Sequence, residues 1–155
     1  FYMAVDVTDD VYYDKTTPER IWSVDSVQFA IALKRQNGSP STEIGFGIAN
    51  GEPTVQCYLA QSVNGKAVDT GTVLANTKYA VKRYEDKKKT IYEIQVPWSD
   101  IYGEKVDMNK LSSIYFSILV NDHDGVNRGW LEYCGGIGSN KNPELFMELP
   151  IYKVK

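Results

Sequence analysis

The chain has 155 residues, of which 43% are hydrophobic and 24% charged, and its formal net charge is −3. This length and composition predict a globular protein in which residues 1–155 form one domain around a core of its own. The acidic balance, with no basic stripe, excludes nucleic acid from the expected partners. No apolar run reaches the roughly 20 residues that cross a bilayer, so no membrane span is expected.

Alternation of apolar and polar residues predicts short β-strands along the first half of the chain. A first strand covers residues 1–7, and a polar loop then leads through Trp22 to a second strand at residues 26–33. The third strand, residues 42–49, has Gly45 and Gly47 on one face. Glycines in such positions indicate that a ligand or another backbone approaches this face closely.

The second half of the chain continues the same pattern. Further strands are predicted at residues 55–59, 78–84, 90–96, 114–120, 130–134 and 145–152. Only short helical turns fit between them, and no long amphipathic helix is present in the sequence. About nine short strands with regular turns predict an all-β fold, an antiparallel β-sandwich of the jelly-roll or immunoglobulin-like kind.

The two cysteines, Cys57 and Cys134, both fall in strand-like runs. Cysteines in such runs are expected to be buried free thiols, and a disulfide between them is the alternative.

Polar side chains crowd into residues 121–128, the sequence NDHDGVNR. Carboxylate oxygens such as those of Asp122 and Asp124 are the hard ligands that Ca²⁺ prefers. The spacing around Gly125 does not fit an EF-hand loop, so a structural calcium ion is the expectation. The alternative is a loop that needs no ion, in which Arg128 pairs with Asp122 or Asp124.

No arrangement typical of an active site is found in the sequence, so the protein is predicted not to be an enzyme. Glycoside hydrolysis needs two carboxylates with separate roles, but Glu43, Glu93 and Glu132 all occupy outward-facing strand positions. The lone His123 is interpreted as a solvated loop residue. No haem is expected because no haem-attachment motif is present, although ligation by His123 and a methionine remains an alternative.

The three tryptophans differ in their surroundings. Trp98 follows Pro97 at a strand end and is predicted to be a core ring. Trp130 lies just past the acidic loop and suits either the core or a binding surface. Trp22 has a polar loop beside it, which favours a binding surface.

Five segments in this order resemble the family 9 carbohydrate-binding modules and the wider DOMON-like sandwich group. They are FYMAVDVTDD, IWSVDSVQFAI, YEIQVPWSDI, FSILVNDHDGVNRGWLEY and NPELFMELPI, and together they extend over nearly the whole chain. The resemblance implies a non-catalytic accessory module with structural calcium, in a secreted or cell-surface bacterial protein. It also implies a polysaccharide or oligosaccharide ligand, because the family's sugar-binding members hold a pyranose ring between two tryptophans.

Carried over to this sequence, the resemblance places the first tryptophan wall at Trp22 and the second near Asn140, which has no ring. The family's acidic contact falls at Gln28 and its basic contact near Gly45. Candidate replacements for the missing surface are Trp130, Tyr133 and Tyr58. The calcium ligands implied are Asp9, Asp122 and Asp124.

Family members usually carry two or three more strands ahead of the one predicted at Phe1. We therefore expect either that the family's first strands are missing or that a partner segment or a homodimer covers the exposed sheet edge. The alternative function follows from the altered contacts: a structural or protein-interaction module that has lost the sugar site. An exposed Trp22 favours sugar binding, whereas a Trp22 packed under its loop favours the structural role.

Overall fold

The computed structural model describes residues 1–62, 64–102 and 106–152. Its strands are β1 (Tyr2–Thr8), β2 (Ser26–Ala32), β3 (Ser41–Ala49), β4 (Glu52–Leu59), β5 (Lys78–Tyr84), β6 (Lys89–Gln95), β7 (Ser113–His123), β8 (Arg128–Tyr133) and β9 (Met147–Pro150). Two short α-helices, α1 (Thr70–Leu74) and α2 (Trp98–Ile101), and 3-10 turns at Pro18–Ser23, Glu85–Lys87, Met108–Lys110 and Pro143–Leu145 lie between them.

The strands form two antiparallel sheets. The smaller sheet has three strands in the order β1-β6-β5, and the larger has six in the order β4-β3-β2-β7-β8, with β9 also paired to β7. The predicted all-β antiparallel sandwich is therefore confirmed.

The core between the sheets consists of the apolar residues that alternate along the strands. Phe29 on β2 lies opposite Ile44 on β3 and Ile118 on β7, and its side chain is 1% exposed. Its ring meets those of Phe46 and Phe116 at centroid distances of 6.2 and 6.3 Å. Burial of each such ring contributes about 1.5–3 kcal/mol to the free energy of unfolding.

Trp98 occupies the end of this core, as predicted. It is partly buried and packs against the core cluster, and its ring stands edge-on to Phe1 at 6.0 Å.

The larger sheet is covered on its outer face as well, because β2 and β3 are buried along their whole length. Ile137 and Phe146, each 2% exposed, pack there against Ala30 and Ala32. The segment at residues 134–146 therefore lies over the side of the sheet that faces away from the main core.

The two cysteines differ in burial, and both are free thiols. Cys57 is buried, as predicted. The prediction for Cys134 is wrong: this residue is exposed and lies just past the end of β8, with a φ of 76°. The strand ends one residue earlier than the sequence pattern indicated.

One side of the sandwich is left open. β1 forms the margin of the smaller sheet and pairs with β6 alone among the described strands. In the larger sheet, Leu131 and Tyr133 on β8 are 77% and 60% exposed. Across the described ranges no helix has the length and apolar character needed to cross a membrane.

Candidate functional site

A pocket of about 300 Å³ opens on the outer face of the larger sheet. The 3-10 turn Pro18–Ser23 forms one wall, and the segment at residues 134–142 forms the other. Its lining residues are Trp22, Gln28, Glu43, Tyr58, Arg128, Ile137, Gly138 and Lys141.

Gly45 makes room for the pocket's back wall. A Cβ atom at this position would lie 2.7 Å from Cε2 of Tyr58 and 3.3 Å from Cγ of Gln28, so the tyrosine ring packs directly over the glycine. The Tyr58 hydroxyl in turn accepts a hydrogen bond of 3.1 Å from the Trp22 backbone N–H. The glycine therefore helps to position the turn that carries the tryptophan, which explains the sequence signal at Gly45.

A continuous chain of polar side chains crosses the pocket floor. Lys141 Nζ lies 2.7 Å from both carboxylate oxygens of Glu43, and Gln28 Nε2 donates to Glu43 at 3.4 Å. Asn121 Nδ2 donates to Gln28 Oε1 at 3.2 Å. Arg128 completes the chain by donating from Nε to Asn121 Oδ1 at 3.0 Å, with Nη2 also bonded to this oxygen.

Burial sets the electrostatics of this chain. Glu43 occupies the outward-facing strand position that the sequence predicts, but the overlying segment covers it, and the residue is only 2% exposed. Burial raises the pKa of Glu43, and the Lys141 ammonium opposes that shift. Burial also lowers the pKa of the Arg128 guanidinium.

Two tryptophan rings flank Arg128. Its Cζ atom lies 5.2 Å from the ring centre of Trp22 and 5.0 Å from that of Trp130, distances at which a cation is attracted to the ring face. Trp22 is 38% exposed and Trp130 is 43% exposed. Arg20, which is also exposed, lies 5.9 Å from the Trp22 ring.

The structure brings together part of the site expected from the sequence. Trp22 and Gln28 line the pocket, and Trp130 borders it through Arg128. Asn140 is exposed and lies outside the lining, although it directly precedes Lys141. Tyr133 lies opposite Ile118 on the other face of β8 from Trp130, so it does not join the pocket.

Sequence reasoning missed Arg128, Lys141 and the buried Glu43 as members of this site. The proposed pairing of Arg128 with Asp122 or Asp124 is wrong, because the guanidinium bonds to Asn121 instead. One signal was available: Arg128 and Trp130 are two residues apart on a strand and therefore share a face. No sequence signal indicated that Lys141 would reach Glu43.

A second polar region lies at the end of β7. Carboxylate oxygens of Asp9, Asp122 and Asp124 lie within 4.8 Å of one another. Asp9 Oδ2 is buried without a hydrogen-bond partner in the described part of the chain, and the Arg83 guanidinium is 3.9 Å away.

Asp25 and His123 form the inner side of this acidic cluster. Asp25 is 4% exposed and accepts hydrogen bonds from the Tyr13 and His123 N–H groups. Burial raises the pKa of Asp25 to about 7, and the charges of neighbouring aspartates add to the shift. The interpretation of His123 as a solvated loop residue is wrong, because its ring stacks on Tyr13 at 4.4 Å and its Nδ1 accepts from Gly125 N–H.

The fold and the pocket define a class: an antiparallel β-sandwich whose outer face presents a tryptophan beside a network of charged and amide groups. The chain matches the profile of the family described as "Carbohydrate family 9 binding domain-like" over residues 1–151, and it belongs to that family. The resemblance seen in the sequence is thereby confirmed.

A solved structure from Bacteroides uniformis, provisionally described as a carbohydrate-binding protein, is similar to this chain. The TM-score is 0.57 at 14% identity, and the match covers 96% of this chain and 71% of that chain. At this identity the likeness shows a shared fold. None of the curated proteins compared with the chain matches it.

Proposed function

We propose that residues 1–155 act as one non-catalytic module that binds a polysaccharide or oligosaccharide in the pocket, with Trp22 as the principal ring. The observation that carries this proposal is the exposure of Trp22 beside the polar chain on the pocket floor. An aromatic face covers the apolar C–H face of a pyranose, while amide and charged groups at its rim select the hydroxyls. Gln28 and Lys141, on the pocket floor, are groups of this kind.

Stacking of a sugar on Trp22 requires a free ring face. Arg20 and Arg128 both lie over this ring. Arg128 is held by Asn121, whereas Arg20 is exposed and forms no ion pair in the described part of the chain. A sugar would therefore displace the Arg20 side chain, at a cost in free energy limited to one exposed cation–π contact of about 0.5–1 kcal/mol.

Binding without catalysis is supported by the way the two nearest carboxylates are used. Glu43 is held by Lys141, and Glu132 accepts hydrogen bonds from the N–H groups of Ile137 and Gly138. Both carboxylates are thus used in contacts that hold the fold together. The family also supports a place in a secreted or cell-surface bacterial protein, and hence an extracellular location.

Isothermal titration calorimetry with soluble β-glucan and xylan oligosaccharides tests the sugar site. We expect saturable binding by the wild type and its loss in Trp22→Ala. Tyr133→Ala is the matched control, because it removes an exposed ring from the opposite face of the sheet and should leave the affinity unchanged. Equal affinities of wild type and Trp22→Ala would contradict the proposed site.

We further propose that Asp9, Asp122 and Asp124 hold a structural calcium ion. The buried, unpartnered Asp9 Oδ2 and the proximity of three carboxylates fit a hard divalent cation. Calcium at 100 times its dissociation constant should raise the free energy of unfolding by about 2.7 kcal/mol. Thermal unfolding with calcium or with EDTA measures this gain in stability. Asp124→Asn should reduce the gain, whereas the control variant Asp107→Asn, outside the acidic cluster, should not. Identical unfolding curves in both conditions would contradict the site.

The open side of the sandwich favours the second candidate function, an interaction module. β1 is a margin strand of the smaller sheet, and Leu131 and Tyr133 on β8 expose apolar surface; both features suit a partner strand or a second copy. Sedimentation of the wild type and of Leu131→Glu tests this. A concentration-dependent dimer that Leu131→Glu abolishes supports the interaction role, and a wild type that stays monomeric contradicts the homodimer.

A further inference from the structure

Arg128 lacks the anionic partner that a half-buried guanidinium usually has. Its hydrogen bonds go to a neutral amide oxygen, and its other contacts are the rings of Trp22 and Trp130. Among the described residues no carboxylate forms an ion pair with it. Arg83 shows the contrast within the same molecule, since that guanidinium lies 3.1 Å from Glu85 and 3.9 Å from Asp9.

The lining of the pocket carries one more cation than carboxylate, and Glu132 beside it is already bonded to the backbone N–H groups of Ile137 and Gly138. The lining includes two cations, Arg128 and Lys141, and one carboxylate, Glu43, which is already bonded to Lys141. Arg20, 5.9 Å from the ring centre of Trp22, adds a third cation without an ion pair in the described ranges. This excess stands out in a chain whose net charge is −3.

The guanidinium also has an unused donor. Nε and Nη2 are both directed to Asn121 Oδ1, while Nη1 has no hydrogen-bond partner among the described residues. Guanidinium groups prefer planar anions such as carboxylates, which they bind through parallel N–H donors. The held orientation of Arg128 lowers the entropy cost of making such a contact.

We propose that the pocket selects acidic sugars, with the carboxylate of a uronate residue on Arg128 and its pyranose ring against Trp22. This assignment rests on the proposed sugar-binding function and specifies its ligand class. Lys141 stays with Glu43 and fixes the floor of the pocket, and the two tryptophan rings shield the carboxylate–guanidinium contact from water. The shielding strengthens the contact relative to an exposed ion pair.

The test compares sugars that differ only in whether C6 is a carboxylate or a hydroxymethyl group. Trigalacturonate, a mannuronate trimer and a glucuronate-bearing xylan fragment are each paired with their carboxyl-reduced neutral form. Affinities are measured by calorimetry at low ionic strength. We expect at least one acidic sugar to bind about tenfold tighter than its neutral form, as one charge-assisted hydrogen-bonded contact provides. The preference should shrink as salt is raised.

Three variants separate this assignment from the proposed function. Arg128→Gln should bring the acidic and neutral affinities together, and Arg128→Lys should keep part of the preference, because it retains charge without the planar fork. Trp22→Ala should lose both affinities. Thermal unfolding checks that each variant is folded, and the wild-type comparison stands even if one is not. Neutral sugars bound as tightly as acidic ones would overturn the acidic selectivity alone, whereas no binding of either kind would overturn both proposals.

Discussion

Asn121 and Asp122 are neighbours on β7 but belong to two regions with opposite charge balance. Asn121 is 2% exposed and joins the pocket floor, where the cations outnumber the carboxylates. Asp122 is exposed and belongs to a cluster of aspartates. The cation beside this cluster is Arg83, which lies 3.9 Å from Asp9. Strand alternation sends the two side chains to different places. One strand thereby supplies both a region suited to an anion and a region suited to a cation.

The largest effect that distinguishes the two regions is expected from Asn121→Ala. The change leaves buried donors of Arg128 and the Gln28 carbonyl without their partner, which should lower the free energy of unfolding by about 2–3 kcal/mol. Asp122→Ala in the presence of EDTA is the control one residue away and should change it by less than about 0.5 kcal/mol. Urea unfolding measures both. Equal losses would mean that the pocket network has no special role in stability.

Gly45→Ala should have the next largest effect, because its Cβ would overlap the Tyr58 ring at 2.7 Å. Overpacking of this kind costs about 1–3 kcal/mol, and movement of Tyr58 should also weaken sugar binding through Trp22. Gly129→Ala on β8 is the matched control, since nothing lies within 4 Å of the added atom. An unchanged melting temperature for Gly45→Ala would show that the Tyr58 ring can move away from the added methyl group without loss of stability.

The effect of Asp122→Asn on the free energy of unfolding should change sign when calcium is added. In EDTA the variant should be more stable than the wild type by up to about 0.5 kcal/mol, because a like charge near Asp9 and Asp25 is removed. In saturating calcium it should be less stable, because a ligand charge is lost. Paired thermal scans give the sign. The same sign in both conditions would contradict a cation site at the acidic cluster.

The smallest expected effect is a pH dependence from Glu43. Its pKa is raised in the folded protein, so its contribution to stability is fully present below the pKa of the unfolded chain. The contribution is then lost as pH rises through the folded pKa. The stability of the wild type relative to Glu43→Gln should therefore fall between mildly acidic and neutral pH. Urea unfolding of both proteins across this pH range measures the difference in their free energies of unfolding. A difference that rises with pH would contradict a raised pKa of Glu43.

The sequence was sufficient for features that depend on local pattern. Alternation along residues 26–33 predicted which side chains enter the core, and the glycines at 45 and 47 predicted a close approach to that face. Features that depend on distant contacts were not accessible. Whether Glu43 is solvated or buried depends on the segment at residues 134–146, about a hundred residues later, and no local periodicity encodes that contact.

The candidate site divides in the same way. Trp22 was predicted from its polar flanking loop, and Gln28 from the resemblance to the family. Asn140 failed by one position, because the adjacent Lys141 is the residue whose side chain reaches the pocket. For Arg128, the alternative to a calcium site was a pairing with Asp122 or Asp124, six or four residues earlier in the chain. Strand geometry instead directs Arg128 to Asn121.

Because one of the two thiols is buried and the other is exposed, only one of them is accessible to a thiol-reactive label. Burial raises the pKa of Cys57 to about 12, so at neutral pH it carries almost no reactive thiolate. Cys134 is exposed one residue past β8, within the chain segment that goes on to cover the pocket. A maleimide dye should attach there in a one-to-one ratio, so the native sequence can be labelled or tethered to a sensor surface without introducing or removing a cysteine.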